Sequence, residues 1–242
     1  MNKVQAFYQL LDGVKGGQGT GNFAPELAQF VPIPGGRLMD IGCLDGCKTE
    51  LIRDTIQAAE AYGVDFVPNR LLEAEERGIH TACVDLNNDL PLKFEDGYFD
   101  VVFCGEVIEH VFSPDDLVEE IARLLRPGGY AVITTPNLAC WKNRIVLLFG
   151  WQPFFSEVST RARYGNPLAP AGLPSGHIRM FTPRALRELA AVFNLKIERI
   201  AGTATPSGAH TLIGSLSRFL DKLIIPLVPT LADRMMMRFV KK

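Results

Sequence analysis

No uncharged apolar run in the 242-residue chain approaches the ~20 residues that a membrane-spanning helix needs. The five cysteines (Cys43, Cys47, Cys83, Cys104 and Cys140) form no C-x-x-C pair, which removes the spacing of zinc ribbons and thioredoxin-like redox sites. Four of them fall in or beside predicted buried strands or the first glycine turn, so the expectation is reduced thiols in a cytoplasmic protein. Neither sign of charge is in excess: 25 basic residues against 27 acidic ones leave a net charge of −2. That balance weighs against a partner held by bulk electrostatics, nucleic acid above all. The opening MNKVQAFYQLLDG carries charge and no long apolar stretch, so it does not read as a signal peptide. There is no internal repeat. What remains, 47% hydrophobic and 21% charged, is a globular composition for one domain with insertions.

The organising stretch is Arg37–Gly46, RLMDIGCLDG. Arg37–Ile41 is short and apolar, with an acid near its end, as suits a buried parallel strand. Gly42 and Gly46 bracket a turn, and residues 47–60 follow with helical spacing at Leu51, Ile52, Thr55, Ile56 and Ala59. Strand, glycine turn and helix make a nucleotide-binding crossover, whose ligand sits outside the carboxyl end of the strand. Asp40 selects among nucleotides. A pyrophosphate against the glycine turn would be repelled by this carboxylate, whereas a donor carrying a sulfonium and an ammonium would be attracted. The G-x-x-x-G spacing also lacks the third glycine of the dinucleotide turn. The segment resembles motif I of the class I S-adenosylmethionine-dependent methyltransferases, with Leu44 where the family has its middle glycine.

Ahead of this strand, residues 2–11 read as a short amphipathic helix, and five glycines between 13 and 21 read as a linker or lid hinge. Residues 1–36 are thus a preface to a domain over 37–242. Residues 61–66 read as the second strand, and Asp65 stands where such folds place a carboxylate on ribose hydroxyls. Pro68 opens a helix that ends at Gly78. Residues 79–85 read as the third strand and 100–105 as the fourth. The stretch Glu106-Val-Ile-Glu-His-Val111 follows. A helical turn there would put Glu106, Glu109 and His110 on one face, as either a hydrogen-bonded cluster or a site for Mg²⁺ or Mn²⁺. Ser113 caps a helix to Arg126, and residues 130–135 form a fifth strand; LLRPGGYAVITTPN is again similar to the family.

The later chain departs from a minimal fold. Residues 137–180 form a cap insertion with an apolar helix over 141–149. Phe154 and Phe155 there line an apolar substrate or belong to the core. A helix over 183–193 capped by Thr182, a strand over 195–200 and a further insertion over 208–230 follow. Leu212, Ile213, Leu216, Phe219, Leu220, Leu223 and Ile224 mark one face of a helix in that insertion. Packing on the sheet or on a second subunit is the expectation for this face, with peripheral membrane contact through 212–228 as the alternative. Residues 234–240 form the last strand, antiparallel to the others.

The resemblance therefore implies an α/β, Rossmann-like, doubly wound seven-stranded sheet with helices on both faces. It implies S-adenosylmethionine contacts at Asp40, Gly42, Cys43, Gly46, Asp65, Phe66, Asp85, Leu86, Cys104 and Gly105. E-V-I-E-H with a later His before F-T is similar to two metal-assisted groups, the ubiquinone-biosynthesis O-methyltransferases and the RNA terminal 2′-O-methyltransferases. That likeness implies ligands at Glu106, Glu109, His110 and His177; without metal, His110 or His177 is the general base. The expected activity is O-methylation of a small molecule, lipid precursor or glycan by a monomer or homodimer. A non-catalytic S-adenosylmethionine-binding partner and a dehydrogenase are the competing readings.

Overall fold

The computed structural model describes residues 24–168, 174–205 and 212–242. The expected helix over 2–11, the glycine-rich stretch 13–21 and residues 206–211 of the second insertion lie outside the described residues. Seven strands form one sheet in the order β3-β2-β1-β4-β5-β7-β6. They are β1 (Arg37–Ile41), β2 (Glu60–Asp65), β3 (His80–Cys83), β4 (Phe99–Gly105), β5 (Leu125–Pro136), β6 (Leu195–Thr203) and β7 (Arg234–Lys241). All neighbouring pairs from β3 to β5 are parallel, while β7 runs antiparallel to both β5 and β6. This is the expected doubly wound arrangement, with its single reversed strand at the carboxyl end. The order changes direction between β1 and β4, which places the ligand crevice outside their carboxyl ends.

Side chains alternate through the central strands and feed two cores, as a sheet covered on both faces requires. Leu38, Val101, Phe103, Tyr130 and Val132 pack under the Cys47–Ile56 helix together with Phe30, Ile52 and Ile56. Met39, Ile41, Val102, Cys104, Ala131 and Ile133 face the other way. There they meet the Pro114–Leu124 and Pro183–Val192 helices through Leu117, Ile121 and Leu186. Ser113 and Thr182 cap these two helices by accepting from Asp116 N and Ala185 N, as expected.

Several boundaries differ from the sequence expectation. The first crossover helix stops at Ile56 rather than running to residue 60, because Gln57 adopts left-handed φ of 58° and ends it. The fifth strand begins at Leu125, ahead of R-P-G-G: Leu125 pairs with Phe99, the next pair is Val101 with Tyr130, and residues 126–129 bulge between them on Gly128. Pro226 lies inside the Leu212–Leu227 helix instead of ending it. The third strand is shorter than expected, so Asp85 and Leu86 sit beyond it in a turn.

Candidate active site

The glycine turn after β1 is held by backbone geometry. Gly42 has φ of +86°, and a Cβ there would collide with Val107 Cγ2; the turn after β1 thus abuts the loop after β4. Gly46 has φ of +73°, and a Cβ would lie 3.0 Å from Ala74 Cα, so this glycine lets two helices approach. Leu44 takes a left-handed φ of 49°, the conformation of the glycine it replaces, and its side chain is 41% exposed. The turn therefore closes as a glycine turn would, and the side chain leaves it toward solvent. Leu44 N donates to Asp65 Oδ2 at 3.0 Å, and Val67 N donates to Asp65 Oδ1 at 3.1 Å. Asp65 thus clamps the turns after β1 and β2 together. Each of its oxygens retains a lone pair for a further donor.

Asp40 is buried beneath this turn. Thr49 Oγ1 donates to its Oδ2 at 2.6 Å, while Oδ1 is buried with no hydrogen-bond partner among the described residues. Burial raises its pKa from 3.8 to about 7, against the pull of Thr49. An unpaired buried carboxylate oxygen at this point is an electrostatic demand for a cationic neighbour. Cys43 and Cys104 are buried thiols whose pKa values are pushed up by desolvation and by nearby carboxylates. They are inert fillers, and Cys43 Sγ would lie 2.6 Å from a Cβ on Gly63. All five cysteines are free. Phe66 follows Asp65 directly, half-buried. Asp85 accepts from Asn87 N and Asn88 Nδ2, and Asn87 Oδ1 accepts from Phe112 N. Leu86 packs on the larger core beside that turn.

The loop after β4 departs from expectation. Glu106 has φ of 58°, so residues 106–111 do not begin a helix and the three polar residues do not share a helical face. Glu106 turns to β5 and β7 instead: it accepts from Thr134 Oγ1 at 2.9 Å and pairs with Arg234 Nε at 3.3 Å. Arg234 also pairs with Glu26 at 3.2 Å. Glu109 goes to the crevice side of β5, where Thr135 Oγ1 donates to its Oε2 at 2.9 Å and Oε1 is buried without a partner among the described residues.

Glu109, His110 and His177 bring one ligand atom each within 4.8 Å of one another. The two imidazoles meet edge to face with centroids 4.9 Å apart. His110 Nδ1 lies 3.2 Å from Gly176 O, and His177 Nδ1 lies 3.0 Å from Phe155 O. Each Nδ1–H donating to a carbonyl leaves Nε2 as the basic nitrogen of that ring. Burial and the neighbouring His177 lower the His110 pKa to about 4, so the ring is neutral at physiological pH. Burial and Glu106 raise that of Glu109 to about 8.

The sequence reading missed what holds His177. Ser175 N, Gly176 N and His177 N all donate to the Glu157 carboxylate, at 2.5, 2.8 and 3.3 Å. Arg163 stands 3.5 Å from that carboxylate and donates to Ser175 Oγ. Ile178 N and Arg179 N then donate to Glu109 O, which stitches the loop to the cluster. No spacing rule marks Glu157. Phe155 is left-handed, with φ of 65°, and its ring lies 6.1 Å from that of His177, which places it beside the cluster rather than in either core.

Residues 17–200 match the methyltransferase-domain family. The chain is 33% identical over 174 residues to the ubiquinone biosynthesis O-methyltransferase of Burkholderia thailandensis, covering 70% of this chain and 68% of that one. The enzyme of the same name from Xylella fastidiosa is 30% identical over 116 residues, 46% of each chain. Among solved structures, an S-adenosylmethionine-dependent methyltransferase from Mesorhizobium loti superposes with a TM-score of 0.61 at 17% identity, covering 90% of this chain and 97% of that one. A phosphoethanolamine N-methyltransferase from Haemonchus contortus, in complex with S-adenosylmethionine, gives 0.58 at 18% identity over 92% of this chain and 52% of that one. The chain belongs to the class I S-adenosylmethionine-dependent methyltransferases. Its competing reading as a dehydrogenase falls with that assignment.

Proposed function

We propose that this methyltransferase acts on a hydroxyl oxygen of a small molecule, lipid precursor or glycan, by direct in-line transfer. The observation that carries the reading is the Glu109–His110–His177 cluster, one carboxylate and two imidazoles converging within 4.8 Å beside the carboxyl end of β4. S-adenosylmethionine supplies an already activated methyl group, so the protein's task is to orient the acceptor and take up its proton. Asp40, beneath the glycine turn, sets the negative field that favours a cationic donor, and Gly42, Cys43 and Gly46 let the backbone approach it. Asp65 and Phe66 hold the ribose end and Asp85 and Leu86 the adenine end, while Cys104 and Gly105 form the floor beside the methyl.

On the acceptor side, the donor set fits a divalent cation. Oε1 of Glu109 is buried and unpartnered, His110 is a neutral nitrogen donor, and both rings are tethered through Nδ1. With Glu106 engaged by Arg234, the set has two nitrogens to one carboxylate. That balance favours Mn²⁺ over Mg²⁺, which prefers an all-oxygen shell. Bound there, such an ion would acidify the acceptor hydroxyl. His177 is the general base if no ion is used. Calorimetric titration with S-adenosylhomocysteine, with and without Mn²⁺, followed by an O-methylation screen over catechols, quinols and glycans, tests the reading. Full activity in EDTA on a hydroxyl acceptor selects the histidine base, and N-methylation alone overturns the O-methyltransferase assignment.

A further inference from the structure

The Leu212–Leu227 helix faces the wrong way for a helix that serves the core. Its apolar stripe points to solvent: Leu216 and Phe219 are each 59% exposed, Leu223 51% and Leu227 83%. These positions fall at i, i+3, i+7 and i+11, a single ridge on a 3.6-residue period. The inward face is small and polar, with Gly214 and Asp221 buried and Ser217 half-buried. Asp221 fixes this orientation. It accepts from Trp141 Nε1 at 2.9 Å and from Lys142 Nζ at 2.8 Å, and Lys142 also bonds Asp233. Rotating the helix to bury its leucines would strip this network of its carboxylate.

The neighbouring Trp141–Leu148 helix adds to the exposed apolar surface with Ile145 and Leu148, and Phe149 follows, stacked on Trp151. An exposed apolar ridge of this extent marks a contact surface rather than ordinary surface scatter. The expectation that this stripe packs on the sheet is therefore not met.

We infer that this face docks on an anionic lipid bilayer, with the helix lying in the plane of the headgroups. The charges on the helix choose that occupant. Its one acid, Asp221, is consumed in the buried network, whereas Arg218 and Lys222 are exposed along the flank of the ridge. Two copies packing this face around a twofold axis would bring these cations together with no carboxylate of the helix to meet them. A layer of anionic phospholipid offers an apolar phase to the leucines and phosphate to the cations. No helix among the described residues is long and apolar enough to cross a membrane, so the contact is superficial. Val228, exposed between Leu227 and Pro229, continues the ridge past the helix end.

The inference is independent of which acceptor the enzyme methylates. It is tested by co-sedimentation of the full chain with vesicles of phosphatidylcholine, alone and mixed with phosphatidylglycerol. Binding is expected to the mixed vesicles and to weaken with salt. Fluorescence should shift to the blue, since Trp151 stacks on the exposed Phe149 and is one of only two tryptophans. The double variant F219E/L223E should bind the mixed vesicles at least ~10-fold more weakly. Both side chains are half-exposed or more, so its melting temperature and its affinity for S-adenosylhomocysteine should match wild type. R218E/K222E should lose the salt-sensitive part of the binding alone. Failure of the wild type to bind either vesicle, or equal binding by F219E/L223E, overturns the inference. So does a wild-type dimer in sedimentation velocity that F219E/L223E splits, which would give the face to a second copy.

Discussion

The turn at residues 42–46 and the loop at residues 175–177 border the same crevice but are held by unlike means. The first is positioned by β1, which is paired on both sides, and by glycines whose missing Cβ atoms leave room for Val107 and Ala74. The second belongs to no strand and hangs on one carboxylate, Glu157, and one carbonyl, that of Glu109. A rigid donor side and a side-chain-tethered acceptor side allow one fold to keep its donor while its acceptor changes. The distinction predicts that substitutions on the two sides separate donor affinity from turnover.

The largest effect is expected at His177. His177→Ala should lower kcat by roughly 100- to 10,000-fold, the range of a positioned base or ligand, while affinity for S-adenosylhomocysteine stays at the wild-type value. Comparable losses in both quantities would show that the two sides are not separable. Asp40→Asn should do the reverse. Removing the charge beneath the turn should weaken donor binding by roughly 10- to 100-fold, about 1.5–3 kcal/mol, with calorimetry as the readout.

Asp40 also carries a pH signature. Its carboxyl pKa is raised in the folded chain, from 3.8 to about 7, so the native state holds this proton more tightly than the unfolded chain does. Its contribution to stability is complete below pH 3.8, declines as pH rises toward 7 and is flat beyond. The stability of Asp40→Asn relative to wild type should therefore climb between pH 4 and 7 in denaturant titrations. Donor binding to wild type should strengthen over the same interval, as the ionised form that attracts a cation becomes populated. A stability difference that is level across this window would mean that Asp40 is ionised throughout.

What could be read from the sequence follows the same division. The β1 turn, Asp65 and the caps at Ser113 and Thr182 were legible because each depends on neighbours a few residues away. Glu106 was misplaced because helical spacing presumes right-handed backbone, and the sequence holds no mark of its left-handed φ. Glu157 was invisible, since its partners lie 18 to 20 residues on and are backbone amides, which every residue possesses. The apolar period of the 212–227 helix was plain, but periodicity states that a face exists and not which way it turns. That direction was set by Asp221 with Trp141 and Lys142, about 80 residues earlier.

Glu157→Ala probes the tether itself. Three backbone donors would lose a buried acceptor, and the loop would hold His177 less closely. Turnover should fall roughly 10- to 100-fold, as when a group that orients a ligand or base is removed. Donor affinity should persist. Glu157→Gln keeps one acceptor oxygen and should recover part of the rate, which a residue that merely filled space would not reproduce. Global stability should fall less than turnover suggests, because the loop lies outside both cores.

The smallest expected effect lies away from both sides of the crevice. Thr182 Oγ1 accepts from Ala185 N at 3.1 Å and caps the Pro183–Val192 helix, which packs on the larger core through Leu186 and Ala190. Thr182→Ala should cost about 1 kcal/mol in chemical denaturation and leave both kcat and donor affinity as they are. The chain runs only four residues from His177 to Phe181, whose carbonyl accepts from Leu138 N and so pins the segment to the end of β5. That clip stands between the cap and the cluster, so fraying of the helix start should stop at Phe181. If Thr182→Ala lowers kcat as well, the clip transmits the disturbance, and the 175–177 loop depends on the helix behind it as well as on Glu157.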